Sequence, residues 1–136
     1  MEEKYILTNE TENFNNHILH RIKALKDFGD VKKGEIGGWI EKEEHLSHEG
    51  NCWVSENAIV YDEAYVSEDA RVFEKASVFD SAYVSGNARV YGNAQVLDDA
   101  QVYGNAWVSD EASIRGTAEV YGNAWVYEKA SIEGTA

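Results

Sequence analysis

The sequence predicts an all-β protein, built mostly as a parallel β-helix of short strands and closed at its N-terminus by a β-hairpin cap. Three observations carry that expectation. From Cys52 onward the chain divides into fourteen hexads without an insertion, CWVSEN through ASIEGT, followed by Ala136. The third place of each hexad is Val in twelve cases and Ile in two (Ile114, Ile132), and the first is Ala in every hexad after the one that opens at Cys52. Proline is absent, which excludes proline-rich linkers, collagen and the usual proline stops between helices.

In chain order, residues 1–51 form a first module that lacks the clean repeat and carries all four His, seven basic and eleven acidic residues. Residues 4–8 (KYILT) and 17–24 (HILHRIKA) alternate apolar with polar, the pattern of half-buried strands. The Asn/Glu/Thr-rich stretch between them reads as the loop of a hairpin. Extending the hexad register backwards puts Ile36 in an inward slot and Ile40 and Leu46 in corner slots, with Gly37-Gly38 as a bend. The same extension turns Lys42 and His48 inward, so the first coil should be irregular. A cap is needed because an open solenoid end exposes strand edges and core side chains.

Residues 52–136 form the second module. Six residues advance an α-helix by about 600°, a net turn of about 240°, and would scatter the Val around its axis. A strand of places two to four, with the β-branched third place inward and its neighbours outward, uses the period instead. Places five and six, Gly-Asn in four hexads and otherwise mostly acidic or small, are turn chemistry. Ala at the first place fits the crowded inside of a corner.

An aliphatic residue followed four places later by a small one resembles the hexapeptide repeat. The resemblance implies a left-handed parallel β-helix with three hexads per coil, hence between four and five regular coils. The stretch RIKALKDFGDVKKGEIGGWIEKEEHLSHEGN followed by such hexads is similar to small bacterial and phage proteins named as hexapeptide-repeat transferases. Acyltransferases of that class imply a catalytic His, an acyl-CoA cleft between subunits of a trimer, and usually loops that interrupt the coils. No hexad here contains His and no loop breaks the repeat. The candidate bases are therefore His17, His20, His45 and His48, all in the cap. His17 and His20 lie three apart in a strand, hence on opposite faces, and His45 and His48 flank Leu46. They are expected to be surface or packing residues, so no catalytic residue is assigned.

Metal sites are not expected either. A related β-helix family binds zinc through His contributed across a trimer, and the strands offer none. The paired acids at the corners, such as Asp62-Glu63 and Asp98-Asp99, read as solvated turns. Cys52, the single cysteine, fills an Ala slot and should be buried and inert, which also excludes a disulfide within the chain.

Residues eighteen apart stack in columns, so the three faces can be written from the sequence. One outward column reads Trp53, Arg71, Arg89, Trp107 and Trp125, beside Phe73, Tyr91 and Tyr127. Trp, Tyr and Arg are the residue types of interface hot spots, so these eight residues are the expected binding face. The repeat reaches Ala136 without a polar ending, which suggests an end-to-end interface at Ile132 and Ala136.

The net charge of −13 disfavours direct contact with nucleic acid, and no apolar run is long enough for a membrane helix. The acidic start Met1-Glu2-Glu3 is not a signal peptide, so a cytoplasmic protein is expected, in the host cytoplasm if phage-encoded. The leading functional expectation is a non-catalytic binding and assembly module, a homo-dimer or homo-trimer without cofactor. Its further partner would be a host or bacterial protein or a small phosphate-bearing ligand, and in a phage it would inhibit or sequester a host component. The alternatives are a trimeric acyltransferase using acyl-CoA and an acidic mimic of nucleic acid.

Overall fold

The computed structural model describes residues 3–133. Strands β1 (Tyr5–Phe14) and β2 (His17–Ala24) form an antiparallel hairpin, and β2 pairs with β3 (Ile36–Ile40). A short 3-10 turn follows at Glu43–His45. Fourteen two-residue strands then recur every six residues, β4 (Trp53–Val54) through β17 (Ser131–Ile132). They stack in parallel, each on the strand eighteen residues away, as in Arg89 on Trp107 and Val90 on Val108. The result is about five coils with three sheets. The hairpin and β3 lead into the sheet β5-β8-β11-β14-β17, while β4-β7-β10-β13-β16 and β6-β9-β12-β15 form the other two. No described helix is long and apolar enough to cross a membrane.

The hexad chemistry explains the coil. Val and Ile of the third place and Ala of the first fill the interior, fully buried from Cys52 to Ala112. The backbone N–H groups of places two, four and six donate to carbonyls of the next coil, as Trp53 to Ala70 at 3.1 Å, Ser55 to Val72 at 2.9 Å and Asn57 to Glu74 at 2.9 Å. Each corner is closed by the N–H of Ala bonding the fourth-place carbonyl, as Ala58 to Ser55 at 3.2 Å. The fifth place has positive φ at every described corner, between 56° and 70°, whether Gly, Asp or Glu occupies it. Its N–H points along the helix axis. On one corner, carboxylates capture it: Asp62 accepts from Asp80 at 3.3 Å, Asp80 from Asp98 at 3.1 Å and Asp98 from Gly116 at 2.9 Å. Acids read as merely solvated thus satisfy backbone donors between coils.

Residues before Cys52 depart from the expected register. Ile40 pairs with Val60 and Leu46 with Val66, both twenty residues away, so both side chains enter the inward slot and not the corner. The two extra residues lie between Leu46 and Cys52. Ile36, expected inward, is 48% exposed. Gly37 and Gly38 are inside β3 and make no bend; they are there because the chain passes too close for a side chain. A Cβ on Gly37 would lie 2.6 Å from both Trp53 Cζ2 and the Val54 carbonyl oxygen. The hairpin is also longer than expected. β1 runs through the polar stretch to Phe14, and the turn is Asn15-Asn16 with φ of 49° and 71°, the left-handed region that Asn tolerates and two-residue hairpins require.

Candidate functional site

The face bearing the Trp/Arg column divides into a covered half and an open half. Trp53 is not on the surface: at 1% exposure it packs edge-on against Tyr5 at 6.3 Å and Phe28 at 5.3 Å. The cap lies over it because Tyr5 is pinned through its hydroxyl to the Leu46 carbonyl and Phe28 closes a small β-bridge with Val31. Arg71 is taken as well, its guanidinium pairing with Asp30, which holds the Asp30 carboxyl below the usual carboxylate range. The expectation of a five-coil binding face is corrected at these two positions.

The open half starts at Phe73, which stacks on Tyr91 at 4.9 Å. Tyr91 meets Trp107 edge-on at 6.1 Å, Trp107 stacks on Trp125 at 5.4 Å, and the Arg89 guanidinium lies 5.7 Å from the Trp107 ring centre. Trp125 is 65% exposed and Tyr127 51%. Strand spacing makes these contacts inevitable, since side chains on adjacent parallel strands stand about 4.8 Å apart. At the expected end-to-end interface, Ile132 is half-buried against the core, and Ala136 is outside the described residues. A second strip, Tyr103 stacked on Tyr121 at 5.3 Å with Tyr83 exposed beside it, lies on another face. There the Tyr103 hydroxyl donates to Glu119 at 2.7 Å, which raises the Tyr103 pKa.

Cys52 is fully buried and burial pushes its thiol up, although Lys4 Nζ lies 3.4 Å from the sulfur. Lys4 is itself buried and donates to the carbonyls of Cys52 at 2.8 Å and Gly50 at 3.3 Å; desolvation lowers its pKa. This pair ties the start of the hairpin to the first coil.

Sequence reasoning missed one convergence. His17 from β2, Glu41 just after β3 and Asp62 at a repeat corner meet, with ligand atoms all within 4.8 Å of one another. His17 Nδ1 lies 3.0 Å from Glu41 Oε2, and Nε2 lies 3.3 Å from Asp62 Oδ1. The hydrogen bond to Glu41 raises the His17 pKa. Burial opposes ionisation of Glu41, yet the His17 contact and the Asp62 N–H, at 3.0 Å from Oε1, bring its pKa below the ordinary value. His45, 1% exposed and shifted down by burial, donates Nδ1–H to the Ala64 carbonyl at 2.8 Å. Its Nε2 has no hydrogen-bond partner among the described residues and faces Glu41 Oε1 at 4.0 Å. Of the other two histidines, His20 donates to the Thr8 carbonyl, while His48 accepts the Lys4 N–H, stacks on Tyr5 and leaves Nε2 buried without a hydrogen bond, 3.5 Å from Glu43 Oε1.

Stacked parallel coils with uninterrupted hexads define a β-solenoid repeat protein. Its repeat matches, over residues 82–98 and 100–116, a sequence model described as the YdcK beta solenoid repeat. Over 78 residues, 51% of this chain, the sequence is 40% identical to the Escherichia coli (strain K12) protein named "Uncharacterized acetyltransferase YdcK". The match spans 24% of that relative, so the chain corresponds to about a quarter of its length. Both findings agree with the resemblance to hexapeptide-repeat proteins named as transferases.

Proposed function

We propose that the protein is a non-catalytic β-solenoid module that assembles with copies of itself through the open half of its aromatic face. The observation that carries this is the Trp107–Trp125 stack, with Trp125 65% and Tyr127 51% exposed at the end of a continuous aromatic run. A strip of this kind is costly to leave in water, at roughly 25 cal/mol per Å² of apolar surface, and Trp and Tyr are the side chains that concentrate binding energy. Arg89 beside Trp107 supplies a cation for a carboxylate across the interface, and the acidic corners limit contact elsewhere. Light scattering on the eluting protein from micromolar to hundreds of micromolar tests the reading. A dimer or trimer that falls to monomer in the Trp107→Ala/Trp125→Ala double variant is expected. A monomer at every concentration overturns it.

A second reading is favoured by the relative's name. As part of an acyltransferase the same self-association would build a cleft between subunits for acyl-CoA. Calorimetric titration with acetyl-CoA separates the two readings: saturable binding supports the transferase, and its absence supports the assembly module alone.

A further inference from the structure

We propose that His17, Glu41 and Asp62, completed by His45, form a binding site for a divalent first-row transition metal ion of the zinc class, which fastens the cap to the first coil. The inference is independent of the assembly reading and concerns a different part of the molecule.

A neutral imidazole has one N–H, yet both nitrogens of His17 face carboxylate oxygens, at 3.0 and 3.3 Å. Both contacts are satisfied either by a proton on each nitrogen or by a metal cation that takes a nitrogen lone pair, so the two carboxylates around His17 favour positive charge at this place. At His45 a carbonyl only accepts, so the bond to Ala64 places a proton on Nδ1, and in the neutral ring Nε2 is a bare lone pair. That lone pair is buried and directed at another acceptor, Glu41 Oε1, at 4.0 Å. The unpartnered His45 nitrogen thus faces the same glutamate that His17 contacts, and a cation bound beside Glu41 would give that lone pair a partner.

The donor chemistry selects the ion. Two imidazoles and two carboxylates are ligands for zinc and its neighbours, whereas calcium and magnesium prefer oxygen alone. Ligands about 2.05 Å from a tetrahedral ion stand roughly 3.3 Å apart, comparable to the His17 to Asp62 separation. The supporting contacts that orient metal ligands are also in place. Ala64 holds His45, and the Asp62 N–H holds Glu41 Oε1. Tyr61, itself buried, lies 4.8 Å from the His17 ring and 5.6 Å from Phe14, walling one side with aromatic surface. With both histidines neutral the four side chains carry two negative charges, which a divalent ion balances. Because the ligands come from β2, the segment after β3 and the corner after β5, an ion would cross-link hairpin, irregular coil and repeat.

The test is calorimetric titration of the full chain, stripped with EDTA, with Zn²⁺ at pH 7.5. One Zn²⁺ per chain is expected, with binding at least tenfold weaker in Asp62→Asn and in His17→Gln and unchanged in Asp110→Asn, a corner on another face. Since Asp62 and His17 are partly exposed, both variants should fold, which the circular dichroism spectrum checks. In ¹⁵N spectra of the imidazole groups of the unmodified protein, Zn²⁺ should shift His17 and His45 and leave His20 in place. Absence of saturable binding, binding indifferent to both substitutions, or shifts confined to His20 and His48 would overturn the proposal.

Discussion

In the repeat, the coils are filled by the same few side chains, Val or Ile at the third place and Ala at the first, and the N–H groups of places two and four are bonded one coil away from Trp53 through Arg115. In the residues before Cys52, the same interior is closed by side chains used once each, among them Tyr5, Ile22, Phe28 and Val31, with Lys4 and His45 buried beside them. The difference teaches where specificity resides. A repeat whose units contact only their neighbours distributes its stability evenly and tolerates change at any one coil. The cap concentrates polar groups, close approaches and titratable side chains in one place, so single substitutions there should act more strongly.

The largest expected effect is at the junction. Gly37→Ala puts a methyl group 2.6 Å from the Val54 carbonyl and the Trp53 ring, and should lower the unfolding free energy by about 3 kcal/mol in urea titration, with Trp53 emission moving to longer wavelength first. In the repeat, Val84→Ala and Val102→Ala each remove two buried methyl groups and should cost about 2 kcal/mol apiece. The equality is the sharper part: values differing by more than about 1 kcal/mol would break the picture of equivalent coils. At the acid corner, Asp80→Ala loses the acceptor for the Asp98 N–H while Asp80→Asn keeps an oxygen there, so thermal melts should place the alanine variant about 1 kcal/mol below the asparagine one. The smallest effect is the Asp30–Arg71 contact. The folded pKa of Asp30 is lowered, so its contribution is present above the unfolded value of about 3.9 and disappears as pH falls through the folded one. Because Asp30 is highly exposed, Asp30→Asn should change stability by less than about 1 kcal/mol at pH 7, and by progressively less as pH falls below the unfolded value.

How much of this was legible in the sequence follows the same division. The hexads gave away strand positions and the interior of every coil, because each unit repeats one local rule, while the eighteen-residue stacking came from the resemblance to hexapeptide-repeat proteins. The cap obeyed no local rule. Two residues inserted between Leu46 and Cys52 shifted Ile40 and Leu46 from corner to interior, and an extrapolated period cannot detect an insertion. The covering of Trp53 depends on Tyr5 and Phe28, each at least twenty-five residues away in the chain, and the meeting of His17, Glu41 and Asp62 depends on that same shifted register. The aromatic run from Phe73 to Tyr127 was legible as a column; that its first coil lies under the cap was not.

The central claim, that the open half of this face is where copies meet, is tested most directly by hydroxyl-radical footprinting at low and high protein concentration. Trp125 and Tyr127 on the proposed interface and Tyr83 on another face all start more than half exposed, so each can be compared with its own oxidation rate in the dilute protein. Concentration-dependent protection of Trp125 and Tyr127, with Tyr83 oxidised at an unchanged rate, is the predicted result. Rates at all three positions that do not change with concentration, or protection of Tyr83 alone, would contradict it.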